Sequence, residues 1–119
     1  VYYIEYANAR ICSILKKYHK TAQLHDNYLT LQSDDTYSIL NKLIEFEDVV
    51  ISSAKKEAPH LIANYVYELA TLFHSFYAKE QIITENEEET EEKINLLIAI
   101  QVVIQNALDL LGIIPREEM

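Results

Sequence analysis

Apolar side chains return every three or four positions through most of this chain, which is the spacing of helices with one buried face. The repeat predicts five of them. The first spans about residues 2–19 and packs through Ile4, Ala7, Ile11, Ile14, Leu15 and Tyr18. Residues 20–33 carry polar punctuation and no strong period, so they form a connection. The second helix runs from about Asp35 to Phe46, with Ser33 or Asp34 as its N-cap and Tyr37, Leu40, Leu43 and Ile44 as its buried stripe. A short third helix, about Glu47 to Glu57, turns Val49, Val50 and Ala54 inward. Pro59 ends it or opens the fourth, since proline lacks an amide donor and fits a first turn.

The fourth helix continues to about Lys79 on a wide face of Leu61, Ile62, Tyr65, Leu69, Leu72, Phe73, Phe76 and Tyr77. Residues 80–89 then break the pattern, and 84–89 are expected to be exposed and mobile because like charges repel there. Thr90 is the expected cap of the fifth helix, which reaches Leu111 and is apolar almost all round. That composition predicts the most buried position in the bundle. Gly112 supplies a left-handed stop and Pro115 prevents resumption. The expected fold is all-α, a bundle of about five helices forming one domain over residues 1–119.

Composition supports this. Half of the 119 residues are hydrophobic, enough for a core without staples, and one glycine with two prolines leaves little material for β-turns. Cys12 is the sole cysteine, so no intrachain disulfide forms, and it reads as a small buried hydrophobe in a reducing, cytoplasmic setting. The opening residues lack a signal-peptide pattern. The apolar run INLLIAIQVVIQNALDLLGII is interrupted by Asn95, Gln101, Gln105, Asn106 and Asp109, which favours a core helix over a membrane span. A start without methionine, in mid-helix, marks the chain as an expected fragment of a longer protein.

A net charge of −9 argues against a nucleic-acid partner until its distribution is considered. Residues 80–92 hold seven acids and no base, and without them the net charge is −2. Residues 1–20 set Arg10, Lys16, Lys17 and Lys20 against Glu5 alone. On this locally basic helix, Tyr3, Tyr6 and Arg10 lie at i, i+3 and i+7 and share one stripe. Flat rings beside a guanidinium suit unpaired bases and a phosphate. The same spacing also describes the ordinary rim of a small helical domain.

Chemistry of other kinds is missing from the pattern. His19, His25, His60 and His74 do not sit at ligand spacing with one another or with cysteine, so no metal site is expected. The only glycine is Gly112, which removes phosphate-cradling loops, and no nucleophile elbow exists. The acids of 80–92 lack the spacing and turn glycine of a calcium loop. No catalytic residue and no cofactor are expected in this chain.

Three segments together resemble a known family. YYIEYANARICSIL is similar to the Y-x-x-Y-A-x-A-R-x-x-S-I-L opening of the C-terminal, DALR-type anticodon-binding domain of bacterial-type arginyl-tRNA synthetases. FEDVVISSAKKEAPHLIANYVYELATLFHSFY resembles its F-P-x-V-V and P-H-x-x-A-x-Y-x-x-E-L-A-x-x-F-x-x-F-Y run, and INLLIAIQVVIQNALDLLGIIPREEM resembles its last helix and tail. The blocks fall in order and cover nearly the whole chain.

The resemblance implies recognition of the tRNA(Arg) anticodon stem-loop, a partner catalytic domain in the same chain, and a monomer without membrane contact. It implies that ATP and Mg belong to that catalytic domain, an ATP-dependent arginine-tRNA ligase, and that the present chain catalyses nothing alone. Tyr6 and Arg10 match the Y-A-x-A-R element on the anticodon side, Tyr77 matches the F-Y pair, and Met119 matches a terminal methionine that contacts the anticodon loop. His60 matches P-H and is expected to be structural. Three departures stand out: Glu47 replaces proline, Gln101 and Gln105 stand where arginines are common, and the tail reads Pro115-Arg116-Glu117-Glu118-Met119 instead of P-E-R-M. Two other readings stay open, a helical protein-interaction module and the related domain of another class I synthetase.

Overall fold

The computed structural model describes residues 2–112, and the five predicted helices are all present among them. They are α1 (Tyr2–Tyr18), α2 (Asp34–Ile44), α3 (Phe46–Lys56), α4 (His60–Lys79) and α5 (Glu87–Leu110). No strand occurs among the described residues, as expected for an all-α bundle. Met119 and the rest of the tail from residue 113 lie outside them.

The hub is α4, which packs on all four other helices. Its core side chains are Ile62, Tyr65, Val66, Leu69, Ala70, Phe73 and Phe76, spaced at three and four along one face. α1 runs parallel to it: Tyr3 meets Tyr67, and Arg10 meets Tyr77. α5 runs antiparallel to α1, with Gln101 on Cys12 and Glu87 facing Lys20. Ile94, Leu97, Ile100, Ile104, Ala107 and Leu108 bury α5 in the core. Length and hydropathy would allow α5 to cross a bilayer, yet that face is occupied by the bundle.

As expected, α5 is the helix with the most buried side chains, ten against seven in α4. It is not covered all round, however: Ile98 is 38% exposed and Val102 is 50% exposed, and it is α4 that touches every other helix. A helix that is apolar all round does not reveal which side its neighbours cover.

Two further faces differ from the sequence reading. In α2 the buried positions are Thr36 and Ile39, with Leu40 and Leu43 half-buried, while Tyr37 and Ile44 are exposed. Ser33 caps the helix, its Oγ accepting from Thr36 N at 3.1 Å, and the Tyr37 hydroxyl donates outward to Gln32 Oε1 at 2.6 Å. In α3, Ala54 is exposed and Ser53 is buried instead, its Oγ donating to Ala58 O at 2.9 Å. That bond helps close the turn in which Glu57 adopts a left-handed φ of 51° before Pro59.

The acidic segment is the largest departure. It is not a mobile loop through residue 89, because α5 already begins at Glu87. Asn86, not Thr90, is the cap: its Oδ1 accepts from Glu89 N at 3.0 Å. The acids of the first turn sit where a helix presents positive partial charge. Thr90 turns back instead, its Oγ1 accepting from Thr84 N at 2.8 Å. Lys93, only 4% exposed, donates to Gln81 O at 2.8 Å and pairs with Glu80 and Glu89. Glu91 and Glu92 hold the long connection after α1: Gln23 N donates to Glu91 Oε2 at 2.9 Å, and Thr30 donates twice to Glu92 Oε1. At the far end Gly112 takes a φ of 75°, the left-handed stop expected from the sequence.

Candidate nucleic-acid interface

The parallel pairing of α1 and α4 brings most of the selected side chains together. The Arg10 guanidinium carbon lies 4.6 Å from the Tyr6 ring centroid and 4.5 Å from that of Tyr77. Its Nη2 donates to the Tyr6 hydroxyl at 3.2 Å. Each such cation–ring contact contributes about 0.5–1 kcal/mol at a partly exposed site, so the pair restrains an otherwise flexible side chain. Tyr3 joins from one turn earlier, its ring 5.0 Å from that of Tyr67. Tyr2, 70% exposed, extends the aromatic surface beyond Tyr6 at a centroid distance of 6.4 Å.

His74 ties these parts together, a role its sequence context barely signals. Its ring lies 4.7 Å from Tyr3 and 5.7 Å from Tyr6. Nδ1 faces Arg10 Nη1 at 3.4 Å and Nε2 faces the Tyr3 carbonyl oxygen at 3.5 Å. Arginine can only donate, so Nδ1 accepts and Nε2 carries the proton. Burial holds the His74 pKa below its ordinary value, and the Arg10 charge lowers it further against the opposing pull of the Tyr3 carbonyl. The imidazole is therefore neutral at pH 7, which this bonding pattern requires. The only cue was position: a histidine one turn before the end of an apolar helix face.

Tyr3, Tyr6, Arg10 and Tyr77 thus form one surface, and His60 stands exposed at the start of α4. The cluster offers ring faces, guanidinium donors and phenol hydroxyls. It offers no activated nucleophile. What it can do is stack on planar groups and hold an anionic oxygen.

The family model of the DALR anticodon binding domain matches residues 4–119. Arginine–tRNA ligase 1 of Halalkalibacterium halodurans is 43% identical over all of this chain and 22% of its own length. Arginine–tRNA ligase of Bacillus subtilis is 38% identical, again over all of this chain and 22% of its own length. The chain therefore spans about a fifth of the length of these relatives. Among solved structures, Thermus thermophilus arginyl-tRNA synthetase superposes with a TM-score of 0.86 at 28% identity, covering 98% of this chain and 21% of that one. The Plasmodium falciparum arginyl-tRNA synthetase gives 0.85 at 27% identity, covering 98% and 21%. With the model spanning nearly every residue and relatives matching the chain from end to end, this protein belongs to the DALR anticodon binding domain family.

Proposed function

We propose that this chain is the anticodon-binding domain of an arginine–tRNA ligase and holds the anticodon stem-loop of tRNA(Arg) against the Arg10 cluster. The observation that carries this reading is the meeting of Arg10, Tyr6 and Tyr77 on one surface. Anticodon bases are readily unstacked, and rings with a guanidinium are what such bases stack on. The domain itself performs no chemistry. ATP, Mg and arginine are handled by a separate catalytic domain of the same chain, and the complete protein acts as a cytoplasmic monomer. Met119 supplies a further contact to the anticodon loop.

The test uses the full-length protein. Tyr6→Ala and Arg10→Ala should each raise the KM for tRNA(Arg) while leaving the KM for ATP and for arginine unchanged. Wild-type kinetics in both folded variants would remove this face from the interface. Binding should weaken steeply with salt, and less steeply in Arg10→Ala if the guanidinium meets a phosphate. A salt-independent complex would favour the protein-interaction reading instead.

A further inference from the structure

The connection after α1 meets the first turns of α5 at a group of side chains that the aromatic cluster does not use. Glu92 is completely buried. Its Oε1 accepts from Thr30 N at 3.0 Å and from Thr30 Oγ1 at 2.9 Å. Its Oε2 makes no hydrogen bond. That oxygen faces His25 Nδ1 across 3.4 Å, without hydrogen-bond geometry. Glu88 lies one turn earlier on α5, and one donor atom from each of His25, Glu88 and Glu92 falls within 4.8 Å of the others.

We infer that His25, Glu88 and Glu92 bind one divalent transition-metal cation of the zinc class, which fastens the α1–α2 connection to α5.

The separation between donors supports a cation. A charge-assisted hydrogen bond would close to about 2.7–2.9 Å. Donors on a tetrahedral zinc, at about 2.0–2.1 Å from the metal, stand about 3.3–3.4 Å apart. The His25–Glu92 gap of 3.4 Å is of the second kind. Glu88 is exposed, so its side chain can rotate the remaining distance at little cost. Glu91 supplies an outer carboxylate. Its Oε1 is hydrogen-bonded to His25 Nε2, and its Oε2 is fixed by the Gln23 amide at 2.9 Å. A carboxylate behind a ligating imidazole orients the ring and raises its basicity. One nitrogen and two carboxylates select a borderline cation over magnesium, which prefers all-oxygen octahedral sites. Water completes the coordination. Sequence spacing excluded such a site because His25 and Glu92 are brought together only by the packing of the connection on α5.

The experiment is zinc uptake by metal-stripped full-length protein, compared among wild type, His25→Gln and Glu88→Gln, with cobalt absorption as a second readout. Wild type should take up one more zinc per chain than either variant, and only wild type should show the cobalt spectrum of this site. Glu91→Gln should weaken that zinc about 10–100-fold. An excess of magnesium should leave it bound. Because Glu88 is exposed, its variant keeps the fold and remains a fair comparison. Equal uptake by wild type and both variants would overturn the inference. So would displacement of zinc by magnesium at equal concentration, which marks a diffuse acidic patch. Absence of any extra zinc would leave His25 as a proton-bridged clasp between Glu91 and Glu92.

Discussion

Arg10 on α1 and Tyr77 on α4 meet with the guanidinium carbon 4.5 Å from the ring centroid. The contact joins two helices and one chemical surface, so its ring and its hydroxyl can be separated by mutation. Tyr77→Phe keeps the ring and should leave tRNA affinity nearly unchanged. Tyr77→Ala removes it and should weaken binding by about 1–3 kcal/mol, roughly thirtyfold at the midpoint. Titration of the full-length variants with an anticodon stem-loop checks both. Equal losses in the two would assign the effect to the hydroxyl.

His74 makes this surface sensitive to acid. Its folded pKa lies below the ordinary value of 6.5, through burial first and Arg10 second. Just under pH 6.5 the unfolded chain therefore binds more protons than the folded one. The stability contribution is complete above that value and is lost as the pH falls through the folded pKa. Protonation also places a second cation beside Arg10 and removes the acceptor at Nδ1. Denaturation midpoints should decline with acidification across this window, and His74→Gln should flatten the decline. An unchanged slope in the variant would assign the acid sensitivity to other groups.

Tyr65 gives the opposite edge. It is 3% exposed and its hydroxyl donates to the Lys42 carbonyl oxygen. Burial, aided by the Glu45 charge, pushes its pKa up to about 12. The folded chain keeps this proton while the unfolded chain loses it at the ordinary value of 10.0. Stability is thus intact below that value and falls as the pH climbs towards 12, by about 2–3 kcal/mol in all. Tyr65→Phe should lose about 1 kcal/mol at neutral pH with the hydrogen bond and show a shallower alkaline decline. Urea titrations at several pH values separate the two effects.

The cap of α5 is testable by hydrogen exchange. Asn86 Oδ1 holds the Glu89 amide, and Thr90 N donates to Asn86 O at 3.0 Å. Both amides should be protected although they lie in the acidic segment. Asn86→Ala should cost about 1 kcal/mol and release the Glu89 amide, while Asn86→Gly should cost only a few tenths. Free exchange at Glu89 in the wild type would contradict the cap.

The sequence carried much of this, unevenly. Tyr6 and Arg10 were legible from spacing because both sit on one helix. Tyr77 entered only through family resemblance, since nothing local places the end of α4 against α1. His74 was invisible because its partners, Arg10 and Tyr3, lie on another helix. The acidic run was misread for a similar reason. Net charge describes a segment by itself, whereas Glu91, Glu92 and Lys93 are spent on distant partners. One local signal was present: Asn86 followed three residues later by Glu89 is the pattern of a capped helix start. Met119 lies outside the described residues, so its place at the interface rests on resemblance.

The corner between α4 and α5 also constrains how this domain can vary in length. Within residues 80–86, Gln81 O is taken by Lys93, Ile82 is buried, Thr84 is tied to Thr90, and Asn86 is the cap. An added or deleted residue there would put each of these out of step with α5 at once. The α1–α2 connection meets α5 at points separated by exposed positions such as Leu24, Asp26 and Asn27, where extra residues would loop outward. Natural insertions and deletions in this domain should therefore collect in the connection and spare the corner.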